Sequence, residues 1–152
     1  MSMVLIVCTG NLCRSPMAEG LLRQRFQEEG LETHHRVFSA GVWAVDGHQA
    51  SDHAIAVMAE RGIDITGHIA HTINANDVAE ADLILVMTKD HEQVIRNTWP
   101  HYGWKIRRLS EMVGKRKDVW DPYGGSIEEY RVCADTLSEY IEGGFERVLE
   151  LI

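Results

Sequence analysis

Met3-Val4-Leu5-Ile6-Val7-Cys8-Thr9-Gly10-Asn11-Leu12-Cys13-Arg14-Ser15-Pro16 joins an uncharged apolar run to a polar loop and then to a proline-led start of periodic sequence. The run is short and rich in branched side chains, which predicts a strand buried on both faces, as parallel sheets require. Ser15 suits the cap of the helix that follows and Pro16 its first turn, with Met17, Leu21, Leu22 and Phe26 facing the core and Gly30 as the stop. The loop between them therefore lies at the carboxyl end of a strand and the amino end of a helix. Open α/β sheets bind their ligands there.

The residue types in that loop suit an anion. Backbone N–H groups from Thr9 to Ser15 can curl around it, helped by the positive end of the helix. Gly10 is expected to take a backbone conformation that other residues resist, and Asn11, which tolerates left-handed backbone, to act as scaffold. Arg14, six positions after Cys8, carries a planar charged fork able to hold two phosphate oxygens at once. The same positive surroundings favour the thiolate of Cys8, the form that attacks. Ser15 can donate its hydroxyl to that thiolate while also capping the helix. Cys13 is read as a compact packing residue; the other reading is a redox partner that would trap oxidised Cys8 as a disulfide.

Outward from this loop, strands and helices alternate. Arg36 to Gly41 reads as a second strand, and Ser51 as the cap of a helix through Arg61 that buries Ala54, Val57 and Met58 and stops at Gly62. A loop with a short helix is expected from Gly67 to Ala81. Asp82 to Met87 is a third buried strand, Thr88 opens a helix towards Asn97, and Lys105 to Leu109 is a weaker fourth strand. Ile127, Tyr130, Ala134, Leu137, Ile141, Phe145 and Val148 recur at steps of three and four, so a long helix over residues 126 to 149 packs on the sheet. The pattern predicts an α/β fold: a single-domain, three-layer sandwich over residues 1–152, with a mostly parallel sheet and right-handed crossovers.

The composition narrows the function classes. Lys+Arg 15 against Asp+Glu 23 leaves a net charge of −8, which repels polyanions at long range and argues against nucleic acid as a partner. The basic runs Lys105-Ile106-Arg107-Arg108 and Lys115-Arg116-Lys117 read as solvated surface. No run reaches the roughly 18 apolar residues of a membrane span, so membrane insertion is not expected and the location is read as cytoplasmic. Cys8, Cys13 and Cys133 are too few for a disulfide scaffold.

Phosphoryl transfer from an oxygen ester also requires a proton for the leaving group. Asp121-Pro122-Tyr123-Gly124-Gly125 offers an acid on a proline-stiffened loop with Trp120 beside it. The two loops together, with Ser39-Ala40-Gly41 and His68 between them, resemble the low-molecular-weight protein tyrosine phosphatases, and the resemblance spans essentially the whole chain. It implies a four-stranded parallel sheet with the phosphate loop at the carboxyl end of strand 1. It also implies a two-step reaction that uses no metal and no other cofactor. Cys8 would attack phosphorus, Arg14 and the amides of Thr9, Gly10, Asn11, Leu12, Cys13 and Ser15 would hold the oxygens, and Asp121 would serve first as acid and then as base. Asn11, Ser15, Ser39 and His68 match the supporting network of the family, and Leu12, Trp43 and Tyr123 its substrate walls. The substrate would be a phosphorylated protein and the product inorganic phosphate.

Two departures bear on specificity. Gly124 stands where eukaryotic relatives place a second aromatic, and Ile69-Ala70-His71 replaces a run that ends in arginine. Asp121 to Ser126 is similar to bacterial members, including the protein arginine phosphatases, which carry threonine where this chain has Leu12. Tyrosine phosphatases carry an apolar isoleucine there, so Leu12 favours phosphotyrosine, with phosphoarginine as the alternative. Arsenate reductases of the same fold need two further cysteines in the middle of the chain. Asp82 to Trp99 contains none, and Cys133 stands alone.

Overall fold

Strand β1 (Ser2–Cys8) is fully buried from Val4 to Cys8 because it has a neighbour on each edge and helices over each face. The computed structural model describes residues 1–152, and its sheet runs in the order β2-β1-β3-β4, with β2 at His35–Gly41, β3 at Leu83–Val86 and β4 at Ile106–Arg108. Every pairing is parallel, with Val7 opposite both Ala40 and Val86 and Cys8 opposite Gly41. Alternate residues of β1 enter different cores, as a two-residue period demands. Val4, Ile6 and Cys8 join one apolar cluster, whereas Leu5 and Val7 join the other.

Helices α1 (Arg14–Glu28), α2 (Asp52–Glu60) and α5 (Ile127–Leu151) cover the first face, and α3 (Ala75–Glu80) and α4 (Lys89–Thr98) cover the second. Phe26 of α1 meets Phe145 of α5 at 5.6 Å between ring centroids, with the Arg25 guanidinium lying 4.4 Å over the Phe145 ring. Gly144 lets α5 approach the tight turn Leu109–Val113, where an added methyl group would stand 2.4 Å from the Met112 Cβ. No helix is long and apolar enough to cross a membrane.

From β1 the chain moves to one edge, at β2, and then returns to the other side of β1 to lay down β3 and β4. The carboxyl ends of β1 and β3 therefore flank the point where strand order reverses, the place for a ligand in such sheets. The loop Cys8–Ser15 leaves one of these strands. Thr88–His91 leaves the other and opens α4 with reciprocal caps: the His91 N–H donates to the Thr88 hydroxyl, and the Thr88 N–H donates to His91 Nδ1.

Four expectations require correction. Ser15 lies inside α1 rather than capping it; the position before the helix is Cys13, which makes no side-chain cap. The left-handed residue of the loop is Asn11, at φ 57°, and Gly10 holds no such conformation. Ser51 precedes α2 without capping it, because its hydroxyl turns instead towards Cys13 and Tyr130. Lys105 is not solvated: it is buried, its ammonium donates to the Val78 and Ala79 carbonyls at 2.9 Å each near the end of α3, and burial pushes its pKa down.

Candidate active site

Cys8 ends β1 with its thiol 2.9 Å from the Ser15 hydroxyl, and both residues are buried. The sense of that hydrogen bond follows from the residues behind it. The backbone N–H of His71, which can only donate, lies 2.9 Å from Asn11 Oδ1 and so fixes the Asn11 amide with its nitrogen on the other side. That nitrogen donates to Ser15 Oγ at 2.8 Å and to Ser39 Oγ at 2.9 Å. Each serine accepts from Asn11 and has its own proton to give. Ser39 gives its proton to Glu19 at 2.5 Å, and Ser15 points its proton at the sulfur of Cys8. His68 closes the set, with Nε2 donating to the Asn11 carbonyl at 2.7 Å.

The left-handed turn at Asn11 is tied to β2 as well. Val42 and Trp43 donate their backbone N–H groups to the carbonyls of Cys8 and Thr9, at 3.0 and 2.9 Å. Gly41 makes this approach possible, since a Cβ there would stand 2.5 Å from the Thr9 oxygen and 3.0 Å from the Asn11 nitrogen. Ser39-Ala40-Gly41 thus touches the loop at two points, one through a hydroxyl and one through a missing side chain.

Arg14 is buried at the start of α1. Its Nη1 donates to the Val119 carbonyl at 2.9 Å, and its Nη2 reaches Thr9 Oγ1 at 3.3 Å and Asp121 Oδ2 at 3.4 Å. Asp121 is half-exposed, and its other oxygen accepts the Tyr123 N–H at 3.0 Å. The segment holding Asp121 is anchored upstream, where the Val119 N–H donates to the Met87 carbonyl at 2.9 Å, and downstream by the reciprocal caps of Ser126 and Glu129 on α5. Cys8, Thr9, Gly10, Leu12, Cys13, Arg14, Asp121 and Tyr123 line one cavity of about 190 Å³. Leu12 and Tyr123 are its apolar flanks. Trp43, expected as a wall, is 83% exposed and stands outside the lining.

The other thiols are held differently from Cys8. Cys13 lies 3.2 Å from the Tyr130 hydroxyl and 3.4 Å from that of Ser51, and burial pushes its pKa up. Cys133 is buried and pushed up to about 12 for the same reason. None of the three cysteines is in a disulfide.

His91 is buried and its Nε2 lies 2.8 Å from Thr9 Oγ1. Burial, with the neighbouring Arg14 charge next in effect, lowers its pKa to about 4, so the imidazole is neutral near pH 7. The readable signal was Thr88 three residues ahead of His91, which spells a cap but not the packing of that cap against a loop 82 residues away in sequence.

A thiol held by a hydroxyl, an arginine and an exposed acid around one cavity are the parts that cysteine-dependent phosphoryl transfer requires. The sequence comparisons agree. Residues 3–150 match the model of the low molecular weight phosphotyrosine protein phosphatases, and the chain belongs to that family of hydrolases. It is 42% identical over 148 residues to a probable low molecular weight protein-tyrosine-phosphatase, EpsP, of Ralstonia solanacearum, covering 97% of each chain. It is 40% identical over 139 residues to the protein-arginine-phosphatase of Bacillus subtilis strain 168, covering 91% of each. Among solved structures, the YwlE arginine phosphatase carrying a phosphorylated active-site serine in place of cysteine superposes with a TM-score of 0.91 at 37% identity, covering 97% of this chain and 95% of that one.

Proposed function

We propose that this chain forms one domain, over residues 1–152, that hydrolyses phosphotyrosine in proteins through a phosphocysteine intermediate. The observation that carries the reading is the convergence of Cys8, Arg14 and Asp121 on one cavity. The Cys8 thiolate attacks phosphorus as the bond to the phenolic oxygen breaks, and Asp121 gives that oxygen its proton. Arg14 and the loop amides hold the remaining oxygens throughout. Water then attacks the phosphocysteine, Asp121 takes the proton of that water, and the phosphorus–sulfur bond breaks with Ser15 donating to the departing thiolate. Inorganic phosphate leaves. The phosphorylated serine of the YwlE relative supports the first step, since a hydroxyl at the nucleophile's place retains the phosphoryl group.

The choice of tyrosine rests on Leu12. Its apolar side chain flanks the cavity together with the ring of Tyr123, which suits a flat aromatic ring better than a phosphoguanidinium with several N–H donors to satisfy. The 40% identity to the Bacillus subtilis enzyme keeps phosphoarginine as the second reading. Steady-state rates on matched phosphotyrosine and phosphoarginine peptides separate the two: a higher kcat/KM on phosphotyrosine is expected, and a large preference for phosphoarginine overturns the assignment. The Leu12→Thr variant should move the ratio towards phosphoarginine. Asp121→Asn should slow esters with poor leaving groups more than those with good ones, and equal slowing would remove the general acid. The three unpaired thiols support a reducing, cytoplasmic location.

A further inference from the structure

We propose that His91 is a positioning residue for phosphoryl transfer, acting through the Thr9 hydroxyl on Arg14. The inference rests on the phosphatase reading above and adds to it a contact from the opposite side of the sheet's switch point. Its first support is the tautomer. The Thr88 N–H, 3.2 Å from His91 Nδ1, can only donate, so Nδ1 is bare and the ring proton sits on Nε2. Nε2 therefore donates to Thr9 Oγ1, 2.8 Å away.

The second support is the count at Thr9. Its oxygen also accepts from Arg14 Nη2 at 3.3 Å, so both lone pairs are occupied and the hydroxyl proton is left free. Thr9 and Arg14 line the cavity, so the proton and the guanidinium fork stand on the side where a phosphoryl group would lie. Arg14 is then held on two sides: Val119 receives Nη1, and Thr9, turned by His91, receives Nη2. A fork fixed at both nitrogens keeps its plane without the substrate, which removes an ordering step from binding. Because His91 also closes the cap of α4, the helix start and the phosphate loop share one side chain.

Two substitutions separate the two jobs of this ring. His91→Asn places an amide oxygen near the position of Nδ1, keeping the bond from Thr88, but ends short of Thr9. His91→Gln carries an amide nitrogen out to the position of Nε2, keeping the donor to Thr9 while giving up the cap. With p-nitrophenyl phosphate as substrate, His91→Asn should lower kcat/KM about tenfold, the effect of one net hydrogen bond, and weaken inhibition by inorganic phosphate in parallel. His91→Gln should recover to within about threefold of the parent on both readouts. In a Thr9→Val background, His91→Asn should add less than about twofold.

Equal losses in the Asn and Gln variants, or losses that add in full to that of Thr9→Val, would reduce His91 to a cap and overturn the proposal. If His91→Asn fails to fold, Thr9→Ser against Thr9→Val decides at an intact His91: the serine should retain activity and phosphate affinity, and equal behaviour of the two sinks the idea. Absence of turnover by the parent enzyme would fall on the phosphatase reading instead. Calorimetric titration with inorganic phosphate then still tests whether His91 and Thr9 set the affinity of the loop.

Discussion

Asn11 holds a left-handed backbone that most residues avoid, and its side chain explains why it is worth holding. Each of its two amide protons satisfies a serine, and one of those serines points at the Cys8 sulfur. Asn11→Asp keeps the size and the tolerance for this backbone while removing both donors. Ser15 and Ser39 would then turn their protons towards the new carboxylate, and the Cys8 sulfur would lose its partner. The expected outcome is a fall in kcat on the order of 10- to 100-fold, with the loss no greater in an Asn11→Asp, Ser15→Ala double variant than in the worse single variant. Additive losses in a stopped-time assay would show that Asn11 does not act through Ser15.

At the scale of elements, two glycines look alike in sequence and do opposite work. Gly41 brings β2 against the phosphate loop, where the obstructing atoms are backbone. Gly41→Ala should therefore cost on the order of 100-fold in kcat/KM, because the loop itself must move. Gly144 packs α5 on Met112, far from the cavity lining. Gly144→Ala should cost about 1–3 kcal/mol of stability by overpacking and leave kcat close to the parent value. Thermal melts and initial rates on the same samples check the pair.

The strand-loop-helix from Met3 to Glu28 was legible because buried parallel strands and proline-led helix starts both leave local signatures. Strand β3 and the α4 cap were legible for the same reason. The left-handed residue was misplaced on Gly10 because glycine is the usual occupant, whereas here the side chain of Asn11 is needed at that point. Lys105 misled in the other direction. A lysine in a basic run looks solvated until the sheet brings it beneath the carbonyl end of α3. His91 lay beyond local reading altogether, since its partner Thr9 becomes a neighbour only when β3 pairs with β1.

The molecule as a whole should carry a stability signature of its buried His91 and half-buried His35. His91 titrates near 4 in the fold against about 6.5 in an open chain, and His35 is lowered too, chiefly by burial. Unfolded chains thus bind protons between pH 6.5 and 4 that the native state refuses. Stability is full above pH 6.5 and declines as the pH falls through that window, with His91 accounting for up to about 3 kcal/mol by pH 4. Urea melts at pH 7 and pH 4.5 should show a smaller difference for His91→Asn than for the parent. An unchanged difference would mean that His91 is protonated in the native state.

The phosphate loop occupies eight consecutive residues near the amino end, yet its restraints come from Ser39, Gly41, His68, His71, His91 and Val119. A chain emerging from the ribosome therefore carries Cys8, the proposed nucleophile, for most of its synthesis without the scaffold that holds its loop. On the proposed mechanism, catalysis should switch on only after the segment bearing Val119 and Asp121 has emerged and docked against Arg14. Enzymatic rate is thus a built-in gauge of completed folding: truncation upstream of this segment should give silent protein, and activity should vanish at the same denaturant concentration as the native circular dichroism.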